Sequence, residues 1–94
     1  MVIIIKNKEY NREIITNDNI VYLDSICKLK NIDDDNNVLI LIDLDIDNNG
    51  VIKNYNFFLE EVLITINIGT IISNTRNEKV EEICAFHKIN YLRL

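Results

Sequence analysis

Val38-Leu39-Ile40-Leu41-Ile42 is an unbroken apolar run of five residues. It is too short for a comfortable helix and suits a strand covered on both faces, the setting of an interior strand in an α/β sheet. The next residues change character, because Asp43, Asp45 and Asp47 alternate with Leu44 and Ile46. If the strand continues, three carboxylates share one of its faces at intervals of about 6.5 Å. Asp47-Asn48-Asn49-Gly50 must then end it, since Asn and Gly tolerate the positive φ of tight turns.

Elements of both periods surround this strand. Val2 to Ile5 and Ile14 to Ile15 are β-prone runs separated by the polar stretch Lys6 to Glu13, which reads as a hairpin or a loosely connected strand pair. From Ile20 the apolar positions Ile20, Leu23, Ile26, Cys27 and Leu29 follow helical spacing, with Asp18 or Asn19 as N-cap and Lys28 and Lys30 near the C-terminal dipole. Tyr55 to Val62 predicts a short helix burying Phe58, Leu59 and Val62. Ile64, Ile66 and Ile68 then alternate with Thr65 and Asn67 at strand period, and Ile71-Ile72-Ser73-Asn74 completes that strand. Thr75 and Glu78 have capping-box spacing, and the helix they open buries Val80, Ile83, Cys84 and His87. Tyr91 to Leu94 closes as a strand. Strand and helix alternating through the second half predict βαβ units with right-handed crossovers. The expected fold is a single small α/β domain over residues 1–94, with a mixed sheet of four or five strands and about three helices.

A chain of 94 residues has room for one core. Hydrophobic residues make up 48% and Gly plus Pro only two positions, too apolar and too poor in breakers for intrinsic disorder. Ile occurs nineteen times and Asn fifteen, and Ala once, as AT-rich codon bias would produce, so the Asn richness is weak evidence of function. The start MVIIIK has no basic leader or signal-peptide core, and no run approaches the roughly 20 apolar residues of a membrane span; a cytoplasmic location is expected. Cys27 and Cys84 lie in apolar helical patterns without disulfide-framework or zinc spacing, and read as buried thiols.

The net charge is -5, but residues 31–52 hold six Asp and no Lys or Arg, so the rest of the chain nets +1. That field disfavours nucleic acid and anionic membranes and attracts basic partners or metal cations. Asp33, Asp34, Asp35 and Asp43 are the candidate partner-binding residues.

The apolar strand ending in Asp45-Ile46-Asp47-Asn48-Asn49 resembles the opening motif of small haloacid dehalogenase-like phosphatases, especially the group linked to phosphatidylglycerophosphate. The resemblance covers about residues 38–94, through Phe58-Leu59-Glu60-Glu61-Val62, Ile72-Ser73-Asn74 and Ile89-Asn90-Tyr91-Leu92. It implies Asp45 as nucleophile, Asp47 as general acid/base, Ser73 as a phosphate ligand and Mg²⁺ as cofactor. Asn49-Gly50 stands where the family has Thr and an apolar residue, and neither the third-motif Lys nor the fourth acidic motif follows. The resemblance therefore implies a degenerate or half-sized relative, because the phosphoryl charge lacks its usual stabilisation.

Two further patterns share these residues. Asp45, Asp47 and Asn49 stand at positions 1, 3 and 5 of a calcium-loop register with Gly50 at 6, but Asn56 replaces the bidentate Glu at 12. Asp45, Asp47 and Asn49 are the candidate metal ligands for Mg²⁺ or Ca²⁺. The whole-chain order also resembles the anti-sigma-factor antagonist domains, where the turn matching Asp47-Asn48-Asn49-Gly50 carries a phosphorylated Ser; Asn48 and Asn49 have no hydroxyl to modify. His87 reads as a packed core residue. With no complete catalytic set, the expected function is that of a non-enzymatic binding or regulatory protein, of the inhibitor or antagonist kind, presenting an acidic face to a basic protein.

Overall fold

A computed structural model of the chain describes residues 2–6, 19–22 and 35–94. The apolar run lies at the centre of the fold. Strand β3 (Asn37–Ile42) is flanked on one side by β1 (Val2–Lys6) and beyond it β2 (Asn19–Tyr22), and on the other by β6 (Ile68–Ser73) and beyond it β7 (Asn90–Arg93). All four pairings in this five-stranded sheet are parallel. A separate antiparallel pair, β4 (Val51–Ile52) and β5 (Phe57–Phe58), follows β3 and leads into helix α1 (Leu59–Thr65). Helix α2 (Glu78–His87) connects β6 to β7. The α/β class and the five strands of the main sheet are as the sequence predicts, and the described residues contain two α-helices.

Alternation fixes what each strand contributes. Ile3, Ile5, Leu39, Leu41 and Ile71 are fully or almost fully buried and share one core with Leu59 and Val62 of α1 and Val80, Ile83 and Cys84 of α2. Each such side chain contributes roughly 1.5 to 3 kcal/mol by leaving water. Val38 and Ile40, on the opposite face of β3, are half-buried. Among the described residues no helix is long and apolar enough to cross a membrane.

Several local expectations are corrected. Both edges of β1 are taken by parallel neighbours, β2 in register Ile3 to Asn19 through Lys6 to Tyr22 and β3 on the other side, so Val2 to Ile5 has no edge left for the expected pairing with Ile14 and Ile15. Asn19–Tyr22, expected as the first turn of a helix, is that second strand; Ile14, Ile15 and Leu23 to Lys30 lie outside the described residues. Phe57 and Phe58 form β5, so helix α1 starts later than predicted and carries Ile64, which the sequence pattern places in a strand. α1 has no side-chain cap at Phe58, and its first N–H, from Leu59, donates instead to the Gly50 carbonyl at 3.0 Å. The α2 cap is Asn77 rather than Thr75: its side chain accepts from the Val80 N–H at 3.0 Å. His87 is exposed, with its ring edge-on to Phe86 at 5.1 Å, because the buried face of α2 stops at Cys84. Cys84 is buried as expected; Cys27 lies outside the described residues.

Candidate functional site

The central strand stops at Ile42. Asp43 takes a left-handed conformation with φ 52°, which turns the chain out of the sheet. Beyond it the two-residue periodicity persists in burial: Leu44 and Ile46 are buried, Asp43 and Asp45 exposed, and Asp47 half-buried. The hydrophobic side chains of the alternating run thus enter the core although the segment is not a continued strand. Ile46 makes only an isolated bridge to Ile52.

The three carboxylates have separate partners. Asp43 is tied to Asn74 by two bonds of 2.8 Å: the Asp43 N–H donates to Asn74 Oδ1, and Asn74 Nδ2 donates to Asp43 Oδ1. Asp45 meets Lys53 Nζ at 3.0 Å, and the Lys53 N–H donates to the Asp45 carbonyl at 2.8 Å. Asp47 Oδ1 accepts the N–H groups of Asn49 at 2.8 Å and Val51 at 3.0 Å, building the turn into β4. Among the described residues no three His, Cys, Asp or Glu side chains are grouped so that they could hold a metal ion. The Asp45 carboxylate is engaged by Lys53, and Asp47 Oδ1 by the Asn49 and Val51 N–H groups.

The loop from β6 to α2 runs beside this segment and locks onto it. Asn74 bonds Asp43, the Thr75 hydroxyl donates to the Leu44 carbonyl at 3.3 Å, and Asn77 Nδ2 donates to the Ile46 carbonyl at 2.6 Å. Ser73, only 2% exposed, keeps its hydroxyl in the same loop: it donates to the Thr75 carbonyl at 2.8 Å and accepts the Thr75 N–H at 3.2 Å. Tyr91 adds a bond from its hydroxyl to the Thr75 carbonyl at 3.3 Å. Between the two segments lies a crevice of about 360 Å³ lined by residues 43–46 of one and by Thr75, Arg76 and Asn77 of the other.

This crevice opens at the carboxyl ends of β3 and β6. In open parallel sheets ligands bind at carboxyl strand ends, next to the point where the strand order reverses. Here that point lies between β1 and β3, because the chain proceeds from β1 outward to β2 and from β3 outward to β6. Lys6, the last residue of β1, pairs in register with Ile42 and so brings a cation to the same end of the sheet. Nothing in the sequence marks Lys6 for this end of the sheet, since only the strand order places residue 6 beside residue 42.

The structure divides the acidic segment. Asp35 is exposed ahead of β3, whereas Asp43 follows it. Six strand residues span about 20 Å, so these two charges lie at opposite ends of the sheet. Asp33 and Asp34 lie outside the described residues. Asn74, Thr75, Arg76 and Asn77 were not picked out as crevice residues from sequence; the only signal was an uninterrupted polar run after a strand. Comparisons with protein-family models, with curated proteins and with solved structures find no match to this chain.

Proposed function

We propose that the protein is a binding or regulatory domain, of the inhibitor or antagonist kind, that receives a basic segment of a protein partner at the carboxyl ends of β3 and β6. The observation that carries this reading is that Asp43 and Asp45 stand exposed on one wall of the crevice, held in place by neutral Asn74 and by a solvent-exposed Lys53. Exposed pairs such as Asp45 with Lys53 are worth about 0 to 1 kcal/mol, so an incoming Lys or Arg exchanges one at little cost. Charges arranged in this way govern encounter rate and choice of partner more than affinity. The test is capture from native extract on the immobilised protein, at low and high salt, alongside the double variant Asp43→Asn, Asp45→Asn. A partner held by this wall is lost with salt and with the double variant. Retention under both conditions refutes the reading.

A second reading is supported by the placement of Ser73 and Asn74 beside the end of the apolar central strand. It is that of a degenerate haloacid dehalogenase-like relative that keeps a phosphate-binding end of the sheet. In this reading Asp43 is the carboxylate nearest the Ser73-Asn74 turn, while Asp45 and Asp47 are engaged by Lys53 and by the β4 turn. Melting temperature is measured with millimolar Mg²⁺ and with inorganic phosphate, and p-nitrophenyl phosphate hydrolysis is followed for the wild type, Asp43→Asn and Asp45→Asn. No ligand-induced shift and no hydrolysis would end this reading and leave the first.

A further inference from the structure

A second surface lies away from the crevice, along the two helices. α1 and α2 leave a groove of about 440 Å³ between them, floored by Ile83 and walled by Ile64, Phe86 and His87, with Glu60, Lys79 and Glu82 along its rim. Ile64 and Phe86 are each 83% exposed, which makes them the most exposed large apolar side chains among the described residues. Both project from regular helix, and neither belongs to the core that the same helices build with Leu59, Val62, Val80 and Cys84. Large apolar residues exposed on either side of a concave groove are a feature of helix-in-groove recognition.

The rim identifies the occupant. Glu60 and Glu82 border the groove, Glu61 is exposed one residue further along α1, and the cation Lys79 is already drawn to Glu82 at 3.7 Å. A second copy of the chain would bring the Glu60 and Glu82 carboxylates of both copies to one seam, with Lys79 already paired to Glu82. Like charges placed face to face disfavour that pairing. We propose that the α1–α2 groove docks an amphipathic helix of another protein, seating its bulky apolar residues against Ile64, Ile83 and Phe86 and setting Lys or Arg along the Glu60 and Glu82 rim. This surface is independent of the carboxyl-end crevice and stands or falls separately from it.

The experiment is selection of helical peptides from a displayed random library on the immobilised full chain, followed by fluorescence anisotropy with the enriched sequences. Enriched peptides are expected to carry apolar residues at i, i+3 or i+4 and i+7, flanked by Lys or Arg. Phe86→Ser is expected to weaken their binding roughly tenfold or more, the loss typical of a central apolar anchor. Phe86 is 83% exposed, so this variant is expected to fold, which far-UV circular dichroism checks. Glu60→Lys with Glu82→Lys is expected to reverse the selected flanks to Asp and Glu, while Asp43→Asn leaves binding unchanged. Enrichment without a basic flank, binding indifferent to Phe86→Ser, or a dimer in sedimentation that Phe86→Ser abolishes would each overturn the proposal, the last by giving the groove to a second copy.

Discussion

Asp43 and Asn74, 31 residues apart, hold each other through a reciprocal pair of 2.8 Å hydrogen bonds, one from the Asp43 backbone to the Asn74 side chain and one from the Asn74 side chain to the Asp43 carboxylate. The contact fixes the exit from the central strand, where Asp43 sits at positive φ. Asp and Asn accept that conformation at small cost, whereas a β-branched residue does not. Asp43→Asn is therefore expected to leave stability almost unchanged, and Asp43→Val to lower it by about 1 to 3 kcal/mol through strain and the lost bond. Urea unfolding of the two variants beside wild type measures the difference. Equal midpoints for Asp43→Val and Asp43→Asn would remove strain from the account.

Asn77 serves two elements with one side chain. Its oxygen caps α2 at the Val80 N–H, and its nitrogen holds the Ile46 carbonyl. Asn77→Ala is expected to cost about 1 to 2 kcal/mol, from a lost cap and a lost half-buried bond. Asn77→Asp keeps the cap acceptor and adds charge at a helix N-terminus but cannot donate to Ile46. It is expected to fall between Asn77→Ala and wild type. If Asn77→Asp proves as unstable as Asn77→Ala, the bond to Ile46 outweighs the cap.

What was legible in the sequence was what a single period could encode. Val38 to Ile42 declared the interior strand, Asp47 to Gly50 the turn, and Val80, Ile83 and Cys84 the buried face of α2. The alternation from Asp43 to Asp47 correctly sorted buried from exposed side chains, although the backbone is not strand there. Asn19–Tyr22 was misread because a four-residue segment fits both periods, and its pairing with β1 decides between them. Ile64 and Ile66 follow a strand period, yet α1 carries the first because Gly50 supplies the acceptor that starts the helix at Leu59. His87 completes a helical face on paper, but the helix is capped at Lys88 and its last three residues, Ala85, Phe86 and His87, stand in solvent. The crevice was half visible: its Asp wall is a motif, whereas Asn74, Thr75 and Asn77 acquire meaning only through hydrogen bonds across 31 residues.

Gly50 joins the turn to the core. It has φ 79°, it is buried, and a Cβ at this position would lie 3.0 Å from Ile83 Cδ1. Its carbonyl also starts α1 and its N–H closes the turn on the Asp47 carbonyl at 3.1 Å. Gly50→Ala is expected to cost about 1 to 3 kcal/mol, the sum of left-handed strain and a crowded helix contact. Pairing it with Ile83→Val, which removes the opposing methyl, should recover part of that loss. A double-mutant cycle without coupling would show that the cost is strain alone.

Cys84 gives a pH dependence whose sign can be worked out. Burial pushes its thiol up to about 11 from an ordinary value of 9.0, because the interior disfavours the thiolate. The folded state therefore keeps its proton over a range where the unfolded chain gives it up. The stabilising term is fully present below pH 9 and is lost as pH rises from 9 to about 11. Urea midpoints of wild type and Cys84→Ala are compared at pH 7 and at pH 10. Cys84→Ala is expected to be less stable at pH 7, since it leaves a small cavity, and to lose less on going to pH 10. The same burial predicts that a thiol reagent reacts with Cys84 slowly in the native protein and quickly in urea. Parallel pH profiles for wild type and Cys84→Ala would mean that the thiol titrates alike in the folded and unfolded chain.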